Sequence, residues 1–530
     1  MPPGREHNVR FLPVNSDSFL IELASLDETL ALFDTLRQAA LPGVDELVPA
    51  ARTVLVHFSP WLTSARALIA AIAALPVAAG TGRSVPQISV AVRYDGEDLP
   101  ALAERLGVSA AELIEAHQSL RWKVAFTGFA PGFAYMVSPG WDYEVPRRTT
   151  PRTRIPAGSL GLAGEFSGIY PQASPGGWQL IGTTDTPMWD IARRPPALLQ
   201  PGAEVRFVAD GGGKIVSLPP AAAPTPVADA ALTIVSPGLL TIWQDGGRRG
   251  QANMGVAESG AMDKTAWRDA NRLVGNAAQT PALEIAFGGF AARAERDLVL
   301  AVTGADCALT LNAAHPLPMH HPFAVRAGDV LRLGPARRGV RSYLAIRGVS
   351  APAPVLASAA FDTLAQVGPA PLRAGDRIGL DPQARTGSVA LSATRRALPA
   401  PGETVTLDII AGPRTDWFDD SAQRLLTTQV WQVTAQSNRI GLRLAGERAL
   451  TRSRQQELPS EGTCAGAIQV PASGQPVLFL NDHPLTGGYP VIAAVAPHHL
   501  DLAGQIPPGC GIRFNPISPF IDLQERRNDD

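Results

Sequence analysis

FTGFAPGFAYM (126–136), VPRRTTPRTRIPAGSLGLAG (145–164) and YPQASPGGWQLIGTT (170–184) decide the fold class. Each is a set of short apolar runs broken by glycine and proline, with little helical period. Such runs read as the strands of a sandwich or barrel, because the turn residues stop them before a helix can propagate. The same texture returns in LVLAVTG (298–304), CALTLN (307–312), DVLRLG (329–334) and RSYLAIRG (341–348), at the spacing of barrel strands. The chain is expected to be mainly β.

Toward the N-terminus the pattern changes. SFLIEL (18–23) and TVLVHF (53–58) are short apolar runs, and ISVAVRY (88–94) alternates with Ile88, Val90, Val92 and Tyr94 on one face. Ser25 and Glu28 have capping-box spacing ahead of a helix that Pro42-Gly43 ends. Ser59-Pro60 is expected to start a second helix through Leu75, and Asp98 to cap a third. Ser109 and Glu112 open a fourth, ending near His117. This predicts a small N-terminal α+β domain over 1–95, followed by a β-barrel over 96–218. PPAAAPTPVADAA (219–231) reads as a semi-rigid linker. Beyond it, 232–400 and 401–520 read as two further β-barrel subdomains. Helices are expected only after Asp263, as far as Gly275, and over 416–427. GIYPQASPGGWQLIG (168–182) echoes AIQVPASGQPVLFLN (467–481), as if each half held a related barrel.

At 530 residues the chain needs several cores, and 45% apolar with 18% charged residues rules out overall disorder. A net charge of −2 excludes a nucleic-acid binder, which needs a basic face. Only three lysines are present, Lys123, Lys214 and Lys264, so basic chemistry rests on arginine. Cys307, Cys464 and Cys510 form no CxxC pair, which argues against a zinc site or a disulfide framework. No apolar run reaches the ~18 residues of a membrane span, and no signal pattern opens the chain. The expected location is the cytoplasm, with no membrane partner. Assembly into a homo-oligomer is compatible with all of this.

The glycine-rich loops are the candidate site. Consecutive backbone N–H groups in such turns hold anionic oxygens, and Arg148, Arg152 and Arg154 offer forked donors for carboxylate or phosphate. Ser159 and the Gly176-Gly177 turn add donors, while Phe129 and Phe133 supply walls. In the second half, SPGLLTIWQDGGRRGQANMGVAESGAMD (236–263) contributes Gln244, Asp245 and Arg248, and TGAD (303–306) contributes Asp306. SNRIG (437–441), SEGTCAGAIQVP (460–471) and NDHPLTGGYPVIA (481–493) add Arg439, Glu461, Gln469, Asp482, Thr486 and Tyr489.

Several chemistries are absent. Gly213-Lys214 is followed by isoleucine, so there is no P-loop. Ser259 sits in Ala-Glu-Ser-Gly, which is no nucleophile elbow. Asp263-Lys264 is not the Met-Lys of a biotin attachment site. No HExxH occurs, and the pairs His320-His321 and His498-His499 cannot point the same way on a strand, so no metal site is expected.

Residues ~10–215 resemble the first-subunit family of bacterial ATP-dependent 5-oxoprolinase, the Kip-inhibitor or allophanate hydrolase subunit 1 family. GFAPGFAYM, PRRTTPRTRIPAGSLGLAG and SPGGWQLIG carry the likeness in order. Ala134 departs from a usual proline. Residues ~232–517 are similar to the second-subunit family, Kip-antagonist or allophanate hydrolase subunit 2, through PGLLTIWQDGGRRG, SGAMD, LEIAFGG, TGAD, SNRIG, GAIQVP and TGGYP. Trp243 and Asn438 are departures. The resemblance implies cyclophilin-like β-barrels and a hydrolase component that opens 5-oxoproline to glutamate with ATP, with Mg²⁺, and with a separate third subunit. It implies a small amide or lactam substrate. Under it, Arg148, Arg152 and Arg154 become anion clamps. Ser159 and Gly176-Gly177 become oxyanion or phosphate donors, and Asp245 or Asp482 an acid/base or Mg²⁺ contact. The second module also resembles the carboxyltransferase part of urea carboxylase, with biotin arriving on another chain. A kinase-regulating binding protein is the third implication.

Overall fold

The computed structural model describes residues 9–76, 86–148, 152–209 and 229–518. Most of the Pro/Ala linker, 219–228, lies outside the described residues. Two modules flank it, each built of two units.

The N-terminal unit consists of β1 (Arg10–Asn15), β2 (Ser18–Glu22), α1 (Leu26–Ala39), β3 (Val44–Pro49), β4 (Thr53–Phe58) and α2 (Ala65–Ala74). Its antiparallel sheet runs β1-β2-β4-β3. The Ser25 hydroxyl accepts the Glu28 amide at 3.2 Å, which starts α1. The helix expected from Ser59-Pro60 is a turn there instead, with the Leu62 and Thr63 amides on the Ser59 carbonyl. Ser64 caps α2 by accepting the Ala67 amide.

The sheet is apolar on both faces. Val54, Val56 and Phe58 of β4 face the helices beside Phe19, Ile21 and Phe33. Leu55, with Leu12, Val14, Leu20 and Val48, faces the other way and packs on Phe479, Leu485 and Val491 of the second module. An antiparallel sheet with one solvated face would alternate apolar and polar residues. This one does not, because the second module covers it.

The second unit holds β5 (Gln87–Val92), α3 (Leu99–Leu106), α4 (Ala110–Ser119), β6 (Trp122–Thr127), β7 (Ala134–Val137), β8 (Arg152–Ile155), β9 (Ser159–Ala163), β10 (Phe166–Ile169), β11 (Ser174–Gly176), β12 (Gln179–Thr183) and β13 (Glu204–Ala209). β5 pairs in parallel with β13. It therefore belongs to this sheet, inside the 1–95 span that was expected to form the N-terminal unit. α4 opens with a complete Ser109–Glu112 capping box.

The third unit comprises β14 (Ala230–Pro237), β15 (Leu240–Gln244), α5 (Lys264–Leu273), β16 (Ala282–Ala286), β17 (Phe290–Ala294), β18 (Leu298–Leu311), β19 (His315–Pro316), β20 (Pro322–Val325), β21 (Val330–Ile346) and β22 (Arg377–Gly379). Its nine strands form one curled sheet. The fourth unit comprises β23 (Thr404–Ala411), α6 (Asp420–Thr428), β24 (Trp431–Val433), β25 (Gly441–Ala445), β26 (Glu461–Gly462), β27 (Ala467–Gln469), β28 (Val477–Phe479), β29 (Thr486–Gly487), β30 (Val491–Val495), α7 (Leu500–Ala503) and β31 (Gly511–Ser518).

The second and fourth units share one topology. The fourth is a closed barrel, β23-β30-β27-β28-β25-β24-β31. The second runs β12-β9-β10-β7-β6-β13-β5, and mutual Arg93–Thr183 backbone bonds join its two ends. In both, the last strand lies parallel to the first, and a two-stranded ribbon, β8-β11 or β26-β29, stands aside. In this register SPGGW (174–178) corresponds to TGGY (486–489). The echo read from the sequence was therefore real in kind but out of register. No helix among the described residues is long and apolar enough to cross a membrane.

Candidate functional site

The first-module loops hold their own arginines. Arg152 places Nη1 and Nη2 on the Asp98 carboxylate at 2.9 and 2.8 Å and Nε on Glu97 at 2.7 Å. Arg148 adds Nη1 at 2.7 Å. Burial works against the Asp98 charge, but these guanidinium groups and the Leu180 amide outweigh it and hold the carboxyl below its ordinary range. Asp98 was expected to cap a helix; its side chain makes no cap bond to α3. Gly176 pairs with Arg152 across β8-β11, and Gly177 accepts the Arg148 amide at 2.8 Å. Two of the three expected clamps are thus held internally. Arg154 is exposed, and Ser159 is buried at the start of β9. Phe129 and Phe133 stand edge-to-face 5.4 Å apart and pack with Tyr170.

The second-module residues converge more tightly. Arg439 lays Nε and Nη2 on Asp482 at 2.9 and 3.0 Å and also bonds Glu284 and the Gly260 carbonyl. Asp482 further accepts Ser259 Oγ at 2.6 Å and the Thr363 amide and hydroxyl at 2.8 and 2.7 Å. Burial disfavours its charge, but Arg439 and these donors keep it ionised. Asp245 fixes the adjacent 358–360 turn through Ser358 Oγ at 2.6 Å and the Ala359 amide at 2.7 Å. Gln244 donates to the Phe361 carbonyl and Arg248 to that of Ala360. These five predicted residues form a scaffold that is buried except at the half-buried Asp245.

The remaining predictions spread out. Glu461 pairs with Arg414 inside the module boundary. Gln469 donates to the Tyr489 carbonyl at 3.1 Å. Thr486 packs against Gly128, where any added Cβ would collide with its hydroxyl. Tyr489 lies under the Arg452 guanidinium. Asp306 stands apart, paired with Arg395.

The scaffold supports a cavity that none of the predicted residues lines. It measures about 230 Å³ and lies between the N-terminal sheet and the second module. Glu46 of β3 and His57 of β4 are direct cross-strand partners and both line it. From the other side come Arg249, Glu258, Ser259 and Lys264, then Cys464, Asn481 and His483. The 245–263 loop reaches in by folding back on itself. Arg248 donates its amide to the Glu258 carbonyl, and Ala261 to that of Asp245. Gly247 and Gly260 face each other in the left-handed region, with no room for a Cβ at either.

The two glutamates of the cavity are driven apart. Burial raises the Glu46 carboxyl to about 7, and the Glu258 charge adds to this against the pull of the 250–252 amides. The Ala252 amide donates to it at 3.0 Å. Burial also opposes the Glu258 charge, but Lys264 Nζ at 3.0 Å and Arg249 at 3.4 Å outweigh it and lower that carboxyl. Burial depresses both histidines, His483 to about 4. His483 Nδ1 meets the Pro484 carbonyl at 2.9 Å, so the donor hydrogen sits there and Nε2 carries the lone pair. No side-chain hydrogen bond to a described residue holds His57. Paired carboxyls pushed in opposite directions in one cavity are the arrangement that acid/base chemistry uses.

Asp408, His498 and His499 are the one group of three metal-ligand types whose donor atoms cluster among the described residues. The two histidines converge because they sit on a 3-10 turn, not a strand. His499 Nδ1 already accepts the Asp408 amide at 2.9 Å, and His498 Nε2 is bonded to the Asp408 carboxylate. The cluster is satisfied as it stands.

Sequence reasoning missed Glu46 and His57. Their signal was a histidine and a glutamate on strands whose other outward residues are mostly apolar, Val48 and Leu55 among them, which marks a face covered by something else.

Residues 9–199 match the family model described as carboxyltransferase domain, subdomain C and D, and residues 254–516 match subdomain A and B. The C-subunit of 5-oxoprolinase from Escherichia coli (strain K12) is 37% identical over 312 residues, 56% of this chain and 94% of that protein. The B-subunit of 5-oxoprolinase from Escherichia coli O157:H7 is 48% identical over 113 residues, 21% of this chain and 52% of that protein. The crystal structure of TTHA0988 is 35% identical, covers 94% of this chain and 99% of its own, and superposes with a TM-score of 0.82.

Proposed function

Because the chain belongs to the carboxyltransferase-domain family, with a C–D part joined ahead of an A–B part, we propose that it is the fused B and C component of an ATP-dependent 5-oxoprolinase. It opens 5-oxoproline to L-glutamate with a third subunit on a separate chain. The observation that carries this reading is the tandem likeness to the B- and C-subunits in one polypeptide, with an acid/base cavity at the junction of the two parts.

The cavity itself does not suit a triphosphate. Asp17, Asp45, Glu46, Glu258 and Asp501 line it, against Arg249 and Lys264. Both cations are already paired with Glu258. Such a surface repels polyphosphate and accepts N–H donors, the groups an amide or lactam ring presents. No nucleotide or Mg²⁺ step is therefore routed through this cavity. Its own residues supply proton transfer.

The test is glutamate release from 5-oxoproline by the full chain and its third subunit, with and without ATP. Release that needs both supports the reading. Carboxyl transfer from carboxybiotin to urea without ATP, and no glutamate, would replace it with the biotin-dependent alternative.

A further inference from the structure

We infer that Glu46 is the proton-transfer group of the junction cavity, acting on an amide or lactam held between the N-terminal sheet and the 245–263 loop. This deepens the 5-oxoprolinase reading and rests on it for the choice of substrate.

Three observations carry the inference. Among the described residues two cavity carboxyls have no ion pair, Asp17 and Glu46, and Glu46 is the one that a second-module backbone amide positions; Asp45 lies near Arg249, Glu258 holds Lys264 and Arg249, and Asp501 lies near Arg396. Its anchoring is to backbone, through the Ala252 amide, so one oxygen is positioned while the other can change its proton. Its cross-strand neighbour His57 is held by no side-chain hydrogen bond among the described residues and lines the same wall. The groups facing Glu46 are Glu258 and Arg249 from the second module and His57 from β4. Burial and Glu258 make its ionised form costly, and at neutral pH it exchanges a proton readily.

In the step itself, the water oxygen bonds to the amide carbon and one water proton passes to the Glu46 carboxylate. As the carbon–nitrogen bond breaks, that proton passes from Glu46 to the leaving nitrogen. Glu46 ends as it began, and the products are a carboxylic acid and an amine, which exchange the acid's proton to give carboxylate and ammonium.

Glu46→Gln keeps an oxygen for the Ala252 amide and removes the proton site; Glu46→Asp keeps the proton site and retracts it. With the third subunit, ATP and 5-oxoproline, the parent rate should rise with pH through about 7. Glu46→Gln should lose that limb and at least about 100-fold in kcat with KM nearly unchanged, and Glu46→Asp should recover part of it. In parallel, infrared difference spectra of the full chain should show a carboxyl band that titrates near neutral pH in the parent and is missing from Glu46→Gln. A parent that releases no glutamate yet shows the band removes the substrate reading and leaves Glu46 as the titrating group. A variant with parental kcat and pH profile, or spectra without the band, overturns the assignment of Glu46.

Discussion

Arg414 of the fourth unit and Glu22 of strand β2 are joined at 2.7 Å across the boundary between the two modules. Arg414 is buried and also holds Glu461. One guanidinium therefore pairs with a carboxylate from each module, and Arg10 shares Glu22 with it. The cavity lies along the same boundary, so what holds the modules also shapes the proposed site.

Arg414→Met should destabilise the protein by about 3–5 kcal/mol, because it leaves Glu461 buried and uncompensated beside Glu22. Urea unfolding gives the measure. A loss below about 1 kcal/mol would mean that the ion pair adds little to the boundary.

Glu46→Gln should stabilise the fold as pH rises. The raised carboxyl favours its protonated form in the folded chain, so its contribution is complete below 4.5 and is lost as pH climbs through about 7. Glutamine cannot ionise and escapes that loss. The variant should gain roughly 1–3 kcal/mol over the parent between pH 4.5 and 7.5, while losing activity. Urea midpoints at pH 5 and pH 8 provide the comparison, and a pH-independent difference would contradict a raised carboxyl.

Much of the architecture is legible in local chemistry. Ser25–Glu28 and Ser109–Glu112 predict helices that form, because side-chain caps act within one turn. Ser59-Pro60 misleads because the amides that follow bond back to the Ser59 carbonyl, and Ser64 supplies the cap. The site is less legible. Arg152, Asp245 and Asp482 have the right chemistry, but in the fold each finds an internal partner from a distant segment: Asp98, Ser358 and Arg439. Glu46 and His57 gain their character from a module some two hundred residues away, as the Ala252–Glu46 bond shows. The apolar outward residues of β3 and β4 mark a covered face, but not what covers it.

His117 should make the first module sensitive to acid. Its ring lies between Phe207 and Trp122, with Nδ1 on Tyr94 Oη at 2.8 Å and Nε2 on Ser167 Oγ at 3.0 Å. Burial pushes it down to about 3, so the folded chain excludes a proton that the unfolded chain binds near 6.5. Stability is full above 6.5 and falls by about 1.4 kcal/mol per pH unit below it. His117→Gln should flatten the stability–pH curve between 4 and 6 by one proton, read from urea titrations at fixed pH. Parallel curves for variant and parent would sink this account.

Asp482→Asn should cost about 3–5 kcal/mol of stability, since it strips Arg439 of its bidentate partner in a fully buried setting. The pH limb of turnover should nevertheless survive. Arg439, Ser259 and Thr363 hold Asp482 ionised, so it has no proton to give near neutrality. Disappearance of the limb in this variant, with the fold intact by circular dichroism, would return Asp482 to the acid/base role that its sequence context suggested.

Severing the chain within 219–228 should leave the two modules bound to each other. Backbone bonds cross the boundary at Gly132–Met254 (2.9 Å) and Ala51–Ser460 (3.1 Å), and Thr127 donates to the Ala252 carbonyl at 3.2 Å. The face carrying Leu12, Val14, Leu20 and Leu55 would meet water if the modules parted, and an exposed apolar sheet face of that kind drives association. A protease site placed in the linker, followed by gel filtration at micromolar concentration, should give one peak containing both fragments with turnover retained. Fragments that separate and each turn over alone would show that Glu46 and Glu258 need not share a cavity, and the acid/base pair would lose its physical basis.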